Sequence, residues 1–258
     1  MPEERSQNPQ EIVWGRNSVL ALIEGAPARI KKVLVARGTH HQSIRKIEDS
    51  CHDRRIPLQR VDRITIERAC PGNAHQGVVA LISPADLHDV SELVHFVPEN
   101  PEPALVLLLD HLQDPGNLGS ILRSAEAFGA SAVVIPKRRA ALPTGTVLKA
   151  SAGAAERIPI VSTPNLLCAL DSLEPEGFWS VAMDPGAGEP LDGKPLPARM
   201  ALVVGSEGQG ISRPVENHCD ERRSIPMGGA SGSLNASVAA AIAMYVWKRM
   251  IDKAGGAP

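Results

Sequence analysis

Aromatic rings are scarce in this 258-residue chain, which has three Trp, three Phe and one Tyr. Seven rings are too few for a surface that stacks successive bases, which argues against an RRM-type sheet and a processive single-strand binder. Cysteine is sparse too. Cys51, Cys70, Cys168 and Cys219 form no C-x-x-C pair, which argues against a zinc ribbon or a disulfide framework and fits a reducing cytosol. No His/Cys/Asp cluster offers a metal site, so none is expected. Long apolar runs are missing: Leu234 to Trp247 is broken by Asn235 and Ser237 and is too short to span a bilayer. The opening MPEERSQNPQEIVWG is polar and acidic, with no apolar core of a signal peptide, so a cytoplasmic location away from membranes is expected. Neither G-x-G-x-x-G nor G-x-x-x-x-G-K-[ST] occurs after a strand-like run, which removes the dinucleotide fingerprint and the P-loop.

Excess charge is also absent overall. Lys plus Arg number 27 against 29 Asp plus Glu, and hydrophobic residues make up 43% of the chain, as in ordinary soluble domains. The balance hides an asymmetry. Residues 1–82 carry 13 Lys/Arg and nine Asp/Glu, a net of +4; the remainder carries 14 and 20, a net of −6. The sign difference reads either as an N-terminal part that meets a polyanion or as chance scatter of solvated charges.

Residues 1–83 alternate short helices and strands. Asn17-Ser18 opens a helix through Ile23, Ile30–Val35 is a strand, His41–Arg55 is amphipathic, Pro57–Val61 is a strand, Asp62 caps a helix through Ala69, and Gly77–Ile82 is a strand. Residues 84–103, with Pro98, Pro101 and Pro103, read as a linker with one short helical turn. Residues 104–258 give stronger signals. Leu105–Leu109, Ser131–Ile135, Phe178–Ala182 and Met200–Val204 are apolar runs of the kind buried on both faces of a parallel sheet, and Arg223–Met227 is a shorter one. Helical stretches over 118–128, 146–156, 165–172, 213–219 and 234–250 alternate with them. The expected fold class is therefore α/β, a parallel sheet with helices on both faces and ligands beyond the carboxyl ends of its strands.

Three loops lie where that rule puts chemistry. Asp110 to Arg123 runs from a buried strand into a helix, with Asn117 and Arg123 six residues apart. They could face an anion, or Asn117 is a plain N-cap and Arg123 a surface ion-pair partner. Gly205-Ser-Glu-Gly-Gln-Gly210 allows close backbone approach. In it Glu207 could orient a polar ligand group or cap the helix beginning near Ile211. Ile225 to Asn235 is rich in Gly, Ala and Ser, a plausible nest for a carboxylate or a purine edge. Ser233 and Asn235 could equally be N-caps, and Val238, Ile242, Tyr245 and Trp247 read as helix packing residues.

Together D-x-x-x-D-P-x-N-x-G-x-x-x-R, G-S-E-G-x-G and I-P-M-x-x-x-x-x-S-L-N-x-S-V-A, in this order, resemble the three motifs of the SpoU (TrmH) family of SPOUT methyltransferases. Trp14-Gly-Arg-Asn-Ser-Val-Leu and His75-Gln-Gly-Val are similar to the L30e-like RNA-binding domain of its larger members. The resemblance implies an L30e-like domain over residues 1–83 and a SPOUT domain with a deep trefoil knot over 104–258. It also implies a homodimer and S-adenosylmethionine as cofactor. The implied activity is methyl transfer to a ribose 2′-hydroxyl of RNA, a guanosine of 23S ribosomal RNA in the branch it matches most, with transfer RNA or another ribosomal site as competing targets. Carried over by position, Arg123, Asn117, Glu207, Ser233 and Asn235 match catalytic and structural polar residues. Gly205, Ser206, Gly210, Ile225, Met227 and Leu234 match the cofactor pocket.

A sulfonium methyl is already electrophilic, so such a site must align it and activate the attacking oxygen. A free guanidinium is a poor base. Arg123 therefore reads as a clamp on phosphate and developing alkoxide charge, oriented by Asn117 and Glu207, unless the site turns it into a base. In the N-terminal part Arg16, Lys31, Lys32, Arg45 and Arg54 are the candidate phosphate contacts. The run Gly228–Gly232 departs from the family by its glycine content, which would loosen the pocket wall. Two other classes stay open, a catalytically silent RNA-binding protein on this fold and a small-molecule α/β enzyme. Loss of Asn117 or Arg123 would favour the first, and both are present. The N-terminal basic charge and the missing cofactor fingerprints oppose the second.

Overall fold

The computed structural model describes residues 11–85, 87–229 and 232–254. In chain order they form β1 (Glu11–Trp14), α1 (Arg16–Gly25), β2 (Ile30–Ala36), α2 (Gln42–Asp53), β3 (Leu58–Val61), α3 (Arg63–Ala69) and β4 (Val78–Ile82). There follow β5 (His88–Asp89), β6 (Ala104–Leu109), α4 (Pro115–Ala127), β7 (Ala132–Pro136), α5 (Gly145–Ala150), β8 (Ile160–Thr163) and α6 (Leu166–Leu173). The chain ends with β9 (Trp179–Met183), β10 (Arg199–Val204), α7 (Arg213–His218), β11 (Glu221–Arg223) and α8 (Ala236–Ala254). Two units result. One joins the chain up to residue 86 with residues 143–156; the other holds 87–142 and the chain from 157 onward.

The first unit is a four-stranded sheet in the order β1-β4-β2-β3, with β2 and β3 parallel and β4 antiparallel to both its neighbours. Strand alternation sorts its side chains. Val33 and Val35 join Val19, Leu22, Ile44 and Ile47 from α1 and α2 in the main core, while Leu34 and Ala36 face Ile66 of α3 and Trp14. Leu148 of α5 completes the main core, and the Lys149 ammonium lies 5.1 Å from the centre of the Trp14 ring. Residues 143–156, expected within the C-terminal domain, thus belong to this core.

The second unit is a seven-stranded sheet in the order β11-β9-β10-β6-β7-β8-β5, with every pairing parallel. Val106 and Leu108 of β6 pack in one cluster with Leu166, Leu170 and Leu173 of α6. Leu105, Leu107 and Leu109 are equally buried, so β6 has apolar cover on both faces, as its unbroken run requires. α8 packs on α4 and on β10. The strand order steps from β6 toward β8 on one side and to β10 and β9 on the other. The switch point therefore lies between β6 and β10, whose carboxyl ends carry Asp110 and Gly205.

Several boundaries differ from the sequence reading. Of the expected linker over 84–103, residues 87–103 are instead part of the second unit. They hold β5 and a 3-10 helix over Val90–Phe96, closed by a capping box between Asp89 and Glu92, and Leu93 is fully buried. Beyond it, buried Arg199 donates from Nη1 to the carbonyls of Pro98 (3.0 Å) and Glu102 (2.8 Å), which fixes the proline-rich stretch. β1, β5 and β8 were not expected, being short or broken by polar residues such as Ser162 and Thr163. β11 covers Glu221–Arg223 rather than 223–227, because Pro226 has no N–H for a ladder. Val238 and Tyr245, read as packing residues, are 46% and 52% exposed, whereas Trp247 is buried.

Candidate active site

α4 begins earlier than its apolar pattern suggests. Asp114 is the N-cap and Pro115 the first helical residue, so Asn117 sits in the first turn, its N–H donating to Asp114 Oδ1 at 2.7 Å. Asn117 is therefore not the cap, and its nearly buried side chain is free for other partners. Its Nδ2 donates to Glu207 Oε1 at 3.1 Å, and its Oδ1 accepts from Asn235 Nδ2 at 2.9 Å. Asn235 Nδ2 also donates to Glu207 Oε1. One side chain from each of the three motif loops thus closes a hydrogen-bonded triangle. Asn235 is also a helix cap, since its Oδ1 accepts from the N–H of Ser237 (2.9 Å) and of Val238 (3.3 Å) at the start of α8. Glu207 caps no helix: α7 starts at Arg213 behind Ser212.

Asp110, in the first motif but given no role from sequence, is 1% exposed at the end of β6. Its Oδ2 accepts from the Ser212 N–H at 2.7 Å, and its Oδ1 lies 2.5 Å from His111 Nδ1. This carboxylate ties the first loop to the segment after the second. An acid directly after a buried apolar strand was the signal available for it.

The second loop is a closed turn. Ser206 and Gly210 exchange backbone hydrogen bonds of 3.1 and 3.0 Å. A Cβ on Gly205 would lie 2.1 Å from the Gly210 carbonyl carbon, so only glycine fits there. The turn forms one wall of a cavity of about 330 Å³ at the carboxyl ends of β9 and β10. Gly205, Ser206, Gly210, Ile225, Met227 and Leu234 all line it, with Glu207 and Ser233. Met183, Asp184, Pro185 and Arg223 line it as well; sequence reading missed them because the ends of β9 and β11 and the loop after β9 carry no motif. In the Gly228–Gly232 run, Ala230 and Ser231 lie outside the described residues, and no atom comes within 4 Å of a Cβ built on Gly228, Gly229 or Gly232.

Arg123 is not part of the triangle. It is exposed, and among the described residues it makes no hydrogen bond and no ion pair. Six residues along a helix turn the side chain about 120° away from Asn117, so the two do not share a face. The five candidate RNA contacts also separate. Arg16 follows β1, and its Nε donates to the Gln76 carbonyl at 3.1 Å; Arg45 lies in the first turn of α2. Lys31 and Lys32 sit at the opposite end of the sheet, where β2 starts, and Arg54 follows the far end of α2. Among the described residues no group of three or more potential metal ligands occurs, and no helix is long and apolar enough to cross a membrane.

Residues 104–245 match the SpoU rRNA Methylase family, and residues 12–87 match the family described as RNA 2′-O ribose methyltransferase substrate binding. The chain belongs to the SpoU family. It is 43% identical, over 91% of its length and 94% of the relative's, to a Staphylococcus aureus protein assigned to the TrmH family of tRNA/rRNA methyltransferases. It is 36% identical, over 91% of its length and 96% of the relative's, to the 23S rRNA (guanosine-2′-O-)-methyltransferase RlmB of Salmonella typhimurium. The fold is that of the SpoU methyltransferase AviRb from Streptomyces viridochromogenes, with a TM-score of 0.78, 23% identity and coverage of 98% of this chain and 93% of that one. A second structure of AviRb is a complex with AdoMet; it matches with a TM-score of 0.77 at 24% identity, over 94% of this chain and 90% of that one.

This SpoU-family chain is an RNA methyltransferase, and SpoU methyltransferases use S-adenosylmethionine. The cavity suits that group. Its walls are largely apolar (Val204, Ile225, Leu234, Ala236), while Asp184 and Glu207 supply negative charge for a sulfonium or ammonium.

Proposed function

We propose that the chain transfers the methyl group of S-adenosylmethionine to the ribose 2′-hydroxyl of a guanosine in 23S ribosomal RNA. The observation that carries this reading is the Asn117–Glu207–Asn235 triangle beside the cavity, and the likeness to RlmB supports the target. The cofactor supplies an electrophilic methyl group when bound. Gly205, Ser206, Gly210, Ile225, Met227 and Leu234 hold it and exclude water. Asn117 and Asn235 fix the Glu207 carboxylate through Oε1, leaving Oε2 to accept a hydroxyl hydrogen. Arg123, with no partner of its own among the described residues, clamps phosphate and stabilises the charge developing on the attacking oxygen. Ser233, exposed at the cavity, orients the sugar. The test is mass-spectrometric mapping of 2′-O-methyl groups in 23S ribosomal and transfer RNA after incubation of unmodified RNA with protein and cofactor. A single new methylguanosine in 23S RNA is expected; methylation confined to transfer RNA refutes the target.

The remaining features belong to the same reading. Residues 184–198 bond to the chain just past β11: Leu191 N–H donates to the Ser224 carbonyl (2.7 Å) and Ser224 N–H to the Glu189 carbonyl (3.0 Å). Trp247 Nε1 of α8 donates to the Pro197 carbonyl at 3.1 Å. This path supports a trefoil knot in which the chain past β11 threads the 184–198 loop; chain tracing in a crystal structure checks it. Exposed Val238 and Tyr245, with Ala241 and Ile242 on α8, support a homodimer face. Val238→Asp is expected to shift the sedimentation coefficient from dimer to monomer, and an unchanged dimer refutes the face. A ribosomal RNA target puts the enzyme in the cytoplasm.

The first unit acts as an L30e-like RNA-docking module. Its phosphate contacts lie at the end carrying Arg16 and Arg45, where exposed Arg37 and Arg63 also stand. Replacing Arg45 and Arg63 by alanine should flatten the dependence of log affinity on log salt by about one per side chain lost. The pair Lys31→Ala/Arg54→Ala should leave the slope unchanged. Filter binding over a salt series measures both, and the reverse pattern refutes the assignment. Choice of nucleotide comes from RNA shape and unpaired bases rather than from these cations.

A further inference from the structure

β6 and β7 are parallel neighbours with Leu108 opposite Val134, so the loops that follow them leave the sheet together at its carboxyl edge. The first loop carries Asp110 and leads to Asn117. The second, from Lys137 to Leu142, is fastened at both ends. Lys137 N–H donates to the Thr163 carbonyl at 2.8 Å, and the N–H of buried Ala141 donates to the Leu112 carbonyl of the first loop at 2.7 Å. The Lys137 ammonium is engaged as well, donating to Asp89 Oδ2 at 3.3 Å. Between these anchors stand Arg138 and Arg139, both exposed and with no hydrogen bond or ion pair among the described residues. Arg139 holds φ at 57°, in the left-handed region that residues other than glycine seldom adopt. The surroundings make the pair stand out. From residue 83 onward the chain has 14 Lys/Arg against 20 Asp/Glu, a net of −6 that repels a polyanion. Lys194, Arg222 and Lys248 there are neutralised by Glu189, Glu216 and Asp252.

We propose that Arg138 and Arg139 form an RNA-binding site in the second unit, holding phosphates beside the nucleotide to be methylated. This rests on reading the Asn117–Glu207–Asn235 triangle as the place of methyl transfer to RNA. The reacting ribose then lies at the triangle, and its strand crosses the edge where the two loops emerge. A guanidinium matches a phosphate as a planar fork, with two parallel N–H donors. Consecutive Cα atoms are about 3.8 Å apart, so the pair reaches one phosphate or two in succession. Fastening at Lys137 and Ala141 places the loop before RNA arrives, which lowers the entropy lost on binding. These contacts hold the RNA equally before and during transfer, so they act on affinity rather than on the chemical step.

The test uses the full-length protein with Arg138→Ala, Arg139→Gly, both together, and Arg138→Lys/Arg139→Lys. Glycine suits the left-handed φ, so Arg139→Gly should melt at or above the temperature of the unaltered protein while losing the guanidinium. Filter binding to an unmodified 23S ribosomal RNA transcript is measured over a salt series. Each single variant should flatten the slope of log affinity against log salt by about 0.7–0.9, and the double variant by about twice that. The lysine pair should keep the slope, because the charge stays. In single-turnover transfer by the double variant, the RNA concentration for half-maximal rate should rise about tenfold or more, with the loss falling there rather than on the rate at saturation. Unchanged slopes in both single variants overturn the proposal, even if the double variant fails to fold. So does a weaker Arg139→Gly whose melting temperature and S-adenosylhomocysteine affinity fall with its RNA affinity, which marks a bracing role. Filter binding needs no turnover, so an unaltered protein that methylates no RNA overturns the proposed activity while the slopes still decide the loop.

Discussion

Arg123→Ala is expected to slow single-turnover methyl transfer by roughly 10²–10³-fold, the usual effect of removing one group that stabilises transition-state charge. The dissociation constant for S-adenosylmethionine should change by less than about threefold, a range that marks a residue making no ground-state contact with the ligand. The structure separates the two quantities. Arg123 stands exposed on α4, outside the residues that line the cavity and outside the Asn117–Glu207–Asn235 triangle. Its charge is not used by any carboxylate among the described residues, so it is available to RNA. Rapid-quench measurement of transfer to RNA, with calorimetry for the cofactor, decides the matter. Near-normal transfer by the variant would remove Arg123 from the chemistry. A large loss of cofactor affinity would make it a binding residue instead.

Gly205→Ala should produce the complementary defect. The added methyl carbon would stand 2.1 Å from the Gly210 carbonyl carbon, 2.3 Å from its oxygen and 2.4 Å from the Ile211 nitrogen. All three are backbone atoms, so the Ser206–Gly210 turn has to open. Opening it shifts a wall of the cavity and moves Glu207 away from Asn117 and Asn235. A displacement of about 1 Å in a preorganised site is worth on the order of 10²-fold, and that weakening of S-adenosylmethionine binding is expected here. Calorimetry is again the measurement, with near-ultraviolet circular dichroism to show that the variant is folded. Cofactor affinity within threefold of the unaltered protein would mean that the turn is not part of the binding wall.

Local signals in the sequence carried well where a residue's neighbours in the chain are also its neighbours in space. The run Leu105–Leu109 has to be buried on both faces wherever it lies, so its place in a parallel sheet was legible. Asp114-Pro115 is a helix start by chemistry alone, yet the apolar period drew attention to Asn117 and placed the boundary too late. The three motif loops were legible as ligand loops because glycine and small polar residues directly follow strands.

Composition marked an ordinary globular core, the alternation of apolar runs with helical stretches marked an α/β chain, the loops after those runs carried no dinucleotide fingerprint, and the three motifs identified the family. Tertiary structure alone decided which side chains meet. Asn117, Glu207 and Asn235 are as much as 118 residues apart and touch only because β6 and β10 pair side by side. Arg123, six residues from Asn117, stands apart from them because helical pitch turns it to another face. Residues 84–103 look like a linker because of their prolines; burial of Leu93, with Val90, Phe96 and Val97 packed against the same core, and the reach of Arg199 make residues 87–103 part of the second unit. Residues 143–156 lie between strands of one unit and complete the core of the other, because Leu148 is apolar and the hydrophobic effect does not read chain order.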